Sequence, residues 1–264
     1  MELNKIHNMD CVKGMQMLDN ECIDLTVTSP PYDNLRTYNG FTWDFESTAK
    51  ELYRVTKQGG VVVWIVGDAT IKGSETGTSF RQALYFIECG FNLHDTMIYA
   101  KNNPIPLTHN RYEQQFEYMF VLSKGKLETF NPIKKENKQS GAIKGGNFRQ
   151  KQDEKGKRHK DVGVKKESYR RNVWFYNIGM NCTTKDKEAF QHPAIFPEQL
   201  ANDHIISWSN ENDIVLDPFI GSGTTAKMAI VNNRNYIGFE LSKEYCEIAN
   251  KRTEDYKSQI QFEI

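Results

Sequence analysis

Val215-Leu216-Asp217-Pro218-Phe219-Ile220-Gly221-Ser222-Gly223-Thr224-Thr225 reads as a short strand, a glycine turn and the start of a helix that continues through Ala226–Val231. Glycines at such a turn let the backbone come close to a ligand. A second strand, Tyr236-Ile237-Gly238-Phe239-Glu240-Leu241, follows after Asn232-Asn233-Arg234. Its Glu240 falls about where a Rossmann-type unit places the acid that binds ribose hydroxyls. Strand, glycine turn, helix, strand and acid together set the expectation of an α/β, Rossmann-like fold. Such a half needs a third strand nearby. The chain ends in one helix, read as Lys243–Tyr256, so the strand is sought at the other end. Lys5-Ile6-His7-Asn8-Met9-Asp10-Cys11 reads as a strand ending at Asp10, with Val12–Leu18 as a helix after it.

A second stretch carries chemistry. Ile23-Asp24-Leu25-Thr26-Val27 is an apolar run that reads as a buried strand, and Thr28-Ser29-Pro30-Pro31-Tyr32 follows it. Neither proline can donate to a sheet ladder, and each holds φ near about −65°. Ser29 precedes a proline and is pushed toward an extended conformation. The carbonyls stay free to accept, and Tyr32 sets a flat aromatic face beside them. That suits an amino group on a flat ring, with oxygens taking its N–H hydrogens and the tyrosine stacking on it. A strand closed by a Pro-Pro turn is the structural alternative.

Together the two stretches resemble the amino-group DNA methyltransferases that use S-adenosylmethionine. The Ser-Pro-Pro-Tyr and Asp-Pro-Phe-x-Gly-x-Gly-Thr-Thr motifs carry the resemblance, and their order, catalytic motif first, is similar to the β class. The resemblance implies a methyltransferase fold with a circularly permuted motif order and an inserted DNA-recognition region. It implies Ser29, Pro30, Pro31 and Tyr32 as catalytic residues. It implies S-adenosylmethionine as cofactor, held by Asp217, Phe219, Gly221, Gly223, Thr224 and Glu240, with Asp10 at the adenine. It also implies that the segment Gln191–Leu200, with its His-Pro and Phe-Pro pattern at His192 and Phe196, packs against the methionine part of the cofactor. Locally, Asp10 reads equally as a surface aspartate before a helix, and Gln191 to about Trp208 as a proline-started amphipathic helix.

The 264 residues suit one domain with an insertion, or one large and one small domain. Hydrophobic content of 38% supports a core, and mean hydropathy of −0.66 indicates a polar surface or long loops. The strongly apolar run Val61–Val66 is far too short to span a membrane. Met1–Lys5 lacks a signal peptide's apolar region. Five scattered cysteines without a C-x-x-C pair read as structural thiols in a reducing compartment, with no zinc site. A cytoplasmic protein of a prokaryote or phage is expected, with no metal and no membrane partner.

Net charge is zero, but Lys126–Arg171 holds 15 Lys/Arg and 6 Asp/Glu, so 15 − 6 = +9, and the remainder carries −9. A charge run is commonly a solvated face. Beside a base-modifying site, contact with double-stranded DNA is the reading adopted, through Lys155, Lys157, Arg158, Lys160, Arg170 and Arg171. Segment 127–190 is therefore read as a basic insertion that helps choose the target sequence, part of it ordering on binding. It separates a catalytic part, 1–126, from a cofactor-binding part, 191–264. A homodimer and a cognate restriction endonuclease are carried as open partners.

Between these landmarks, Trp43–Thr56 has helical spacing, Gln58-Gly59-Gly60 stops it, and Val61–Val66 is a strand buried on both faces. Ser79–Cys89 reads as a helix, and Asn92–Lys101 and Phe116–Ser123 read as strands. After Tyr32, Asp33–Gly40 looks like the family's flexible loop, in which Arg36 either holds a phosphate or faces solvent. Asn103–Pro106 resembles a family segment beside the target-base pocket, and His109 reads as a loop histidine.

An exocyclic amine is a poor nucleophile because its lone pair is conjugated into the ring. No cysteine stands in a motif suited to ring-carbon attack, whereas amino methylation needs chiefly positioning. The Ser29 side chain and Pro30 carbonyl would accept the two N–H hydrogens, and Tyr32 would stack on a flipped base. Serine at the first motif position leans toward cytosine N4 within the family, and adenine N6 stays open. A nicotinamide oxidoreductase leaves Ser29–Tyr32 and the basic segment unexplained. A non-catalytic nucleic-acid-binding protein leaves the intact catalytic motif unexplained.

Overall fold

The computed structural model describes residues 1–31, 43–104, 111–137, 166–192 and 195–262. Tyr32, Arg36, His109, Lys155, Lys157, Arg158 and Lys160 lie outside the described residues. The strands are β1 (Lys5–Asn8), β2 (Ile23–Thr28), β3 (Thr56–Val66), β4 (Thr70–Ile71), β5 (Ser74–Glu75), β6 (Asn92–Lys101), β7 (Phe116–Ser123), β8 (Lys134–Glu136), β9 (Glu167–Tyr169), β10 (Val173–Tyr176), β11 (Ile214–Asp217) and β12 (Asn235–Glu240). The α-helices are α1 (Cys11–Gln16), α2 (Phe45–Val55), α3 (Thr78–Glu88), α4 (Glu198–Trp208), α5 (Thr224–Val231) and α6 (Lys243–Phe262).

Eight strands form one sheet in the order β1-β12-β11-β2-β3-β7-β6-β10, antiparallel only where β7 meets β3 and β6. Apolar runs buried on both faces explain the parallel centre. β3 is inaccessible from Val62 to Val66, and Leu25, Val27, Val215 and Leu216 beside it are equally closed off. The third strand expected from the N-terminus is present: β1 pairs in parallel with β12, Lys5 against Ile237 and Asn8 against Glu240. The strand order thus continues from the C-terminal part of the chain into the N-terminal part, as a circularly permuted motif order requires.

β11 and β2 are parallel neighbours, yet the chain leaves them in opposite directions, β11 through α5 to β12 and β2 through α2 to β3. Such a divergence opens a crevice at the carboxyl ends of the strands, where α/β sheets bind ligands. Here the crevice falls between Ser29-Pro30-Pro31 and Pro218–Gly223.

Several boundaries differ from the sequence reading: the first strand ends at Asn8 rather than Asp10, α1 is Cys11–Gln16, and β3 begins at Thr56, so Gln58-Gly59-Gly60 lies inside the strand rather than stopping the helix. Lys187–Gln191 is a 3-10 helix and α4 begins only at Glu198, behind Pro197 as its N-cap. Pro197 has no N–H to continue a helix from 191 and fits only at a start. α6 runs to Phe262 because no proline or glycine interrupts it past Tyr256. The chain also divides into two compact units, Met1–Asn131 with Asn172–Ile264, and Pro132–Arg171. The second unit holds the antiparallel pair β8 and β9, tied by Arg170 N donating to the Ile133 carbonyl at 2.8 Å. Segment 172–190, read with the insertion from composition, belongs to the first unit: β10 pairs with β6, Trp174 against Tyr99.

Candidate functional site: a cleft at the ends of the parallel strands

Asp217, the last residue of β11, is buried beneath the cleft at 1% exposure. Thr28 Oγ1 donates to its Oδ1 at 2.6 Å, and Thr225 Oγ1 donates to its Oδ2 at 2.7 Å. The Phe219 N–H donates to Oδ1 at 3.0 Å. One carboxyl therefore ties the end of β2, the turn after β11 and the first turn of α5. Burial pushes its pKa up from 3.8 to about 6, against the pull of the hydroxyls and the N–H toward the ionised form.

Glu240 ends β12 and forms the next wall. Its Oε2 accepts from Gly221 N at 3.0 Å and its Oε1 from Ser242 N at 2.8 Å. Burial raises its pKa, those backbone donors oppose the rise, and nearby Asp217 adds to it. Each carboxylate oxygen keeps a further lone pair for a ligand donor. Gly221 and Gly223 have φ of 50° and 85°, the left-handed region that favours glycine. A Cβ on Gly221 would stand 2.9 Å from His192 Nε2, so the missing side chain lets His192 close over the turn. The His192 ring also meets Tyr245 edge-on at 4.4 Å.

The cleft encloses about 910 Å³ of empty space, its open mouth included. Asp10, His192, Phe196, Phe219, Gly221, Thr224 and Glu240 all line it, and so do Ser29 and Pro31. Asp217 and Gly223 stand behind the lining; Gly223 is the N-cap of α5. Asp10 also caps α1, accepting from Lys13 N at 3.0 Å, as an aspartate before a helix does. Pro30 is buried, and no donor among the described residues meets its carbonyl. The Pro31 carbonyl is taken by Trp43 Nε1 at 3.1 Å. Arg170 is half-buried and Arg171 exposed, both in the second unit.

Three features went unread in the sequence. Trp43 lines the cleft, braces Pro31 and meets Phe219 edge-on at 4.9 Å, though its position just before α2 marked it only as a helix start. Ser242 and Tyr245 line it from the start of α6. Arg252 lies behind the turn at 4% exposure. Its Nη1 donates to the Ser222 carbonyl at 3.0 Å and lies 3.2 Å from Thr224 Oγ1. Its Nε pairs with Asp186 at 2.6 Å, and its Nη2 bonds Glu198. Lys227 bridges the same two acids, each at 2.9 Å. Asp186 and Glu198 flank the stretch that contains His192 and Phe196, so one partly buried ion network holds that wall and the glycine turn together. No sequence pattern announces it, because the partners are up to 66 residues apart.

A family model described as a DNA methylase, N6_N4_Mtase, matches residues 23–251. The orphan methyltransferase M.BamHII of Bacillus amyloliquefaciens is 62% identical over 237 residues, 89% of either chain. The type II methyltransferase M.HinfI of Haemophilus influenzae is 28% identical, across 97% of this chain and 69% of its own. Among solved structures, the M1.HpyAVI–SAM complex matches with TM-score 0.63 and 25% identity, covering 94% of this chain and 98% of that one. The cytosine-N4-specific PvuII DNA methyltransferase matches with TM-score 0.68 at 18% identity, covering 97% and 91%, which bears on the fold alone. Among the described residues no group of His, Cys, Asp and Glu could hold a metal, and no helix is long and apolar enough to cross a membrane.

Proposed function

Because this chain belongs to the N6_N4_Mtase family of DNA methylases, we propose that it moves a methyl group from S-adenosylmethionine to the exocyclic amine of a flipped DNA base, cytosine N4 in preference to adenine N6. The observation that carries this reading is the bond between Thr28 and Asp217, which sets Ser29 and the Phe219–Gly223 turn on one cleft.

The cleft fits the cofactor. Glu240 offers acceptors suited to ribose hydroxyls, and Asp10, also on the lining, would accept from the adenine amine. His192, Phe196, Phe219 and Tyr245 give apolar and aromatic walls. When bound, S-adenosylmethionine supplies an electrophilic methyl on a sulfonium. The relative solved with SAM supports this assignment.

On the base side, Ser29 Oγ and the open Pro30 carbonyl would accept the two amine hydrogens. Both acceptors strengthen as positive charge develops on nitrogen, and fixed dipoles need no reorganisation to do so. Trp43 holds the Pro31 carbonyl and so braces the backbone that follows Pro30. Tyr32 would stack on the base, worth roughly 1–3 kcal/mol, against the few kcal/mol that flipping costs. The preference for cytosine rests on the family resemblance of a serine at this position; the hydroxyl itself could accept from the amine and donate to the adjacent ring nitrogen, a pair that cytosine N4/N3 and adenine N6/N1 both present.

Double-stranded DNA is the proposed partner, met by basic residues of segment 126–171, Arg170 and Arg171 among them; a homodimer is the proposed assembly. The relative at 62% identity is named an orphan methyltransferase, which favours action without a cognate nuclease. The setting proposed is the cytoplasm. Expression in methylation-free cells followed by nucleoside mass spectrometry tests the reading. N4-methylcytosine is expected; N6-methyladenine would move the target base, and no methylated amine would remove the proposal.

A further inference from the structure

β3 ends at Val66 and α3 begins at Thr78, and the chain between them folds into a hairpin. β4 and β5 pair antiparallel, Thr70 against Glu75 and Ile71 against Ser74. A strand and the helix after it are commonly joined by about 2–6 residues. The segment 67–77 is longer than that, so it is more than a link. Its base is clasped. Thr76 N donates to the Ala69 carbonyl at 3.0 Å. Asp68 accepts from Ser79 N at 2.9 Å and from Ser79 Oγ at 2.5 Å. Arg111, ahead of β7, donates to the Gly73 carbonyl and stands 3.8 Å from Glu75. Yet Thr70 to Glu75 are all exposed, and a Cβ on Gly73 would meet nothing within 4 Å, so the tip stands clear. Lys72 and Gly73 have φ of 50° and 81°, both positive as the two-residue type I′ turn requires. Asn-Gly is the ordinary pair there, and a lysine at positive φ is unfavoured. Lys72 has no hydrogen bond or ion pair among the described residues.

The sheet register brings this hairpin beside the motif that begins at Ser29. Thr28, the last residue of β2, pairs with Trp64 of β3, and β3 ends at Val66. Parallel neighbours lie about 4.8 Å apart. The hairpin therefore leaves the sheet one strand over from Ser29, at the same carboxyl edge. Three residues a side, at about 3.3 Å each, give it a length of roughly 10 Å. A base presented to Ser29 comes from a duplex lying over this edge, within reach of such an arm. The chemistry of the arm fits that duplex. Lys72 at the tip and Arg111 at its flank supply cations for backbone phosphates. Ile71 is an aliphatic side chain at 55% exposure. Proteins that unstack DNA insert apolar side chains of this kind between base steps. None of these residues lines the cofactor cleft.

We propose that the β4–β5 hairpin is a DNA-contacting arm, with Lys72 on a phosphate and Ile71 wedged at the base step next to the flipped nucleotide. The proposal rests on the methyl-transfer reading for the place of the DNA. Two measurements on the full chain test it. The first is binding to a duplex oligonucleotide by fluorescence anisotropy across a salt series. Lys72→Asn removes the charge and installs the residue the turn favours. Its Tm should therefore hold or rise, while the slope of log K against log salt flattens by about 0.9. The second is single-turnover methyl transfer to DNA from methylation-free cells. Ile71→Ala should keep the salt slope and lower the rate at least about tenfold, and Ile71→Leu should restore most of it. Cofactor affinity, read by calorimetry, should stay at the wild-type value in all three variants. An unchanged slope in Lys72→Asn overturns the proposal, and so does an Ile71→Ala enzyme as fast as wild type. A wild type that transfers no methyl group fails the methyl-transfer reading instead, and the salt series then decides the hairpin by itself.

Discussion

Thr28 and Asp217 are 189 residues apart in sequence and 2.6 Å apart across a hydrogen bond, closed off from solvent. Thr28 is the last residue of β2 before Ser29, and Asp217 is the last of β11 before the glycine turn. The bond sets the two motifs in one register. Thr28→Val keeps the shape but removes a donor, leaving a buried carboxyl short of one partner. A loss of about 1–3 kcal/mol is expected from urea unfolding. A change within a few tenths of a kcal/mol would show that the contact is incidental.

The same carboxyl gives a pH signature. A folded pKa near 6 lies above the ordinary 3.8, so the native state holds the proton more tightly than the unfolded chain. Its contribution is therefore fully present below about pH 3.8 and is lost as pH rises through about 6, by at most roughly 3 kcal/mol. Asp217→Asn cannot titrate. The stability of the wild type relative to Asp217→Asn should fall across that window, measured by denaturant melts at several pH values. A difference that stays flat or rises would refute the raised pKa.

Arg252 joins two walls of the cleft through one guanidinium. Arg252→Ala leaves Asp186 and Glu198, both partly exposed, with Lys227 alone, and the lost charged hydrogen bonds should lower stability by about 1.5–3 kcal/mol. Cofactor affinity, read by calorimetry at a temperature where the variant is folded, should drop with it because Ser222 and Thr224 lose their brace. Arg252→Lys keeps the charge without the fork and should recover only part of both. A variant that melts low but binds cofactor normally would confine Arg252 to stability.

The basic segment should set the salt dependence of DNA binding. Each phosphate neutralised contributes about 0.9 to the slope of log K against log salt. Replacing Lys155, Lys157, Arg158 and Lys160 by Gln should flatten that slope by up to roughly 3–4. An unchanged slope would make these four residues a solvated face.

Much of the fold was legible because its signals are local. Ile23–Val27, Val61–Val66 and Val215–Asp217 are apolar runs too short for helices, and the structure makes each a sheet strand. The need for a third strand beside Tyr236–Leu241 pointed to a strand from Lys5 to Asp10, and the pairing of β1 (Lys5–Asn8) with β12 answers it two residues shorter. Of the cofactor residues named from motif and resemblance, all but Asp217 and Gly223 face the cleft, and those two hold it from behind. Trp43, Tyr245 and Arg252 escaped notice for one physical reason. Each acts through contacts between distant segments, and a tryptophan before a helix or an arginine within one looks the same whether it faces solvent or a site. The start of α4 was misplaced because Pro193 suggested a helix start that Pro197 supplies.

The central claim is that the motif beginning at Ser29 holds the target amine while the far end of the chain holds the cofactor. Single-turnover methyl transfer to a duplex oligonucleotide, under saturating DNA and cofactor, measures this most directly on Tyr32→Phe, Tyr32→Ala and Ser29→Ala, with cofactor affinity read separately. Tyr32→Phe should keep much of the rate, since the ring face survives. Tyr32→Ala and Ser29→Ala should each fall by at least about tenfold, with cofactor affinity near wild type. A Tyr32→Ala enzyme as fast as wild type would contradict the account and reduce Ser29–Tyr32 to a structural turn.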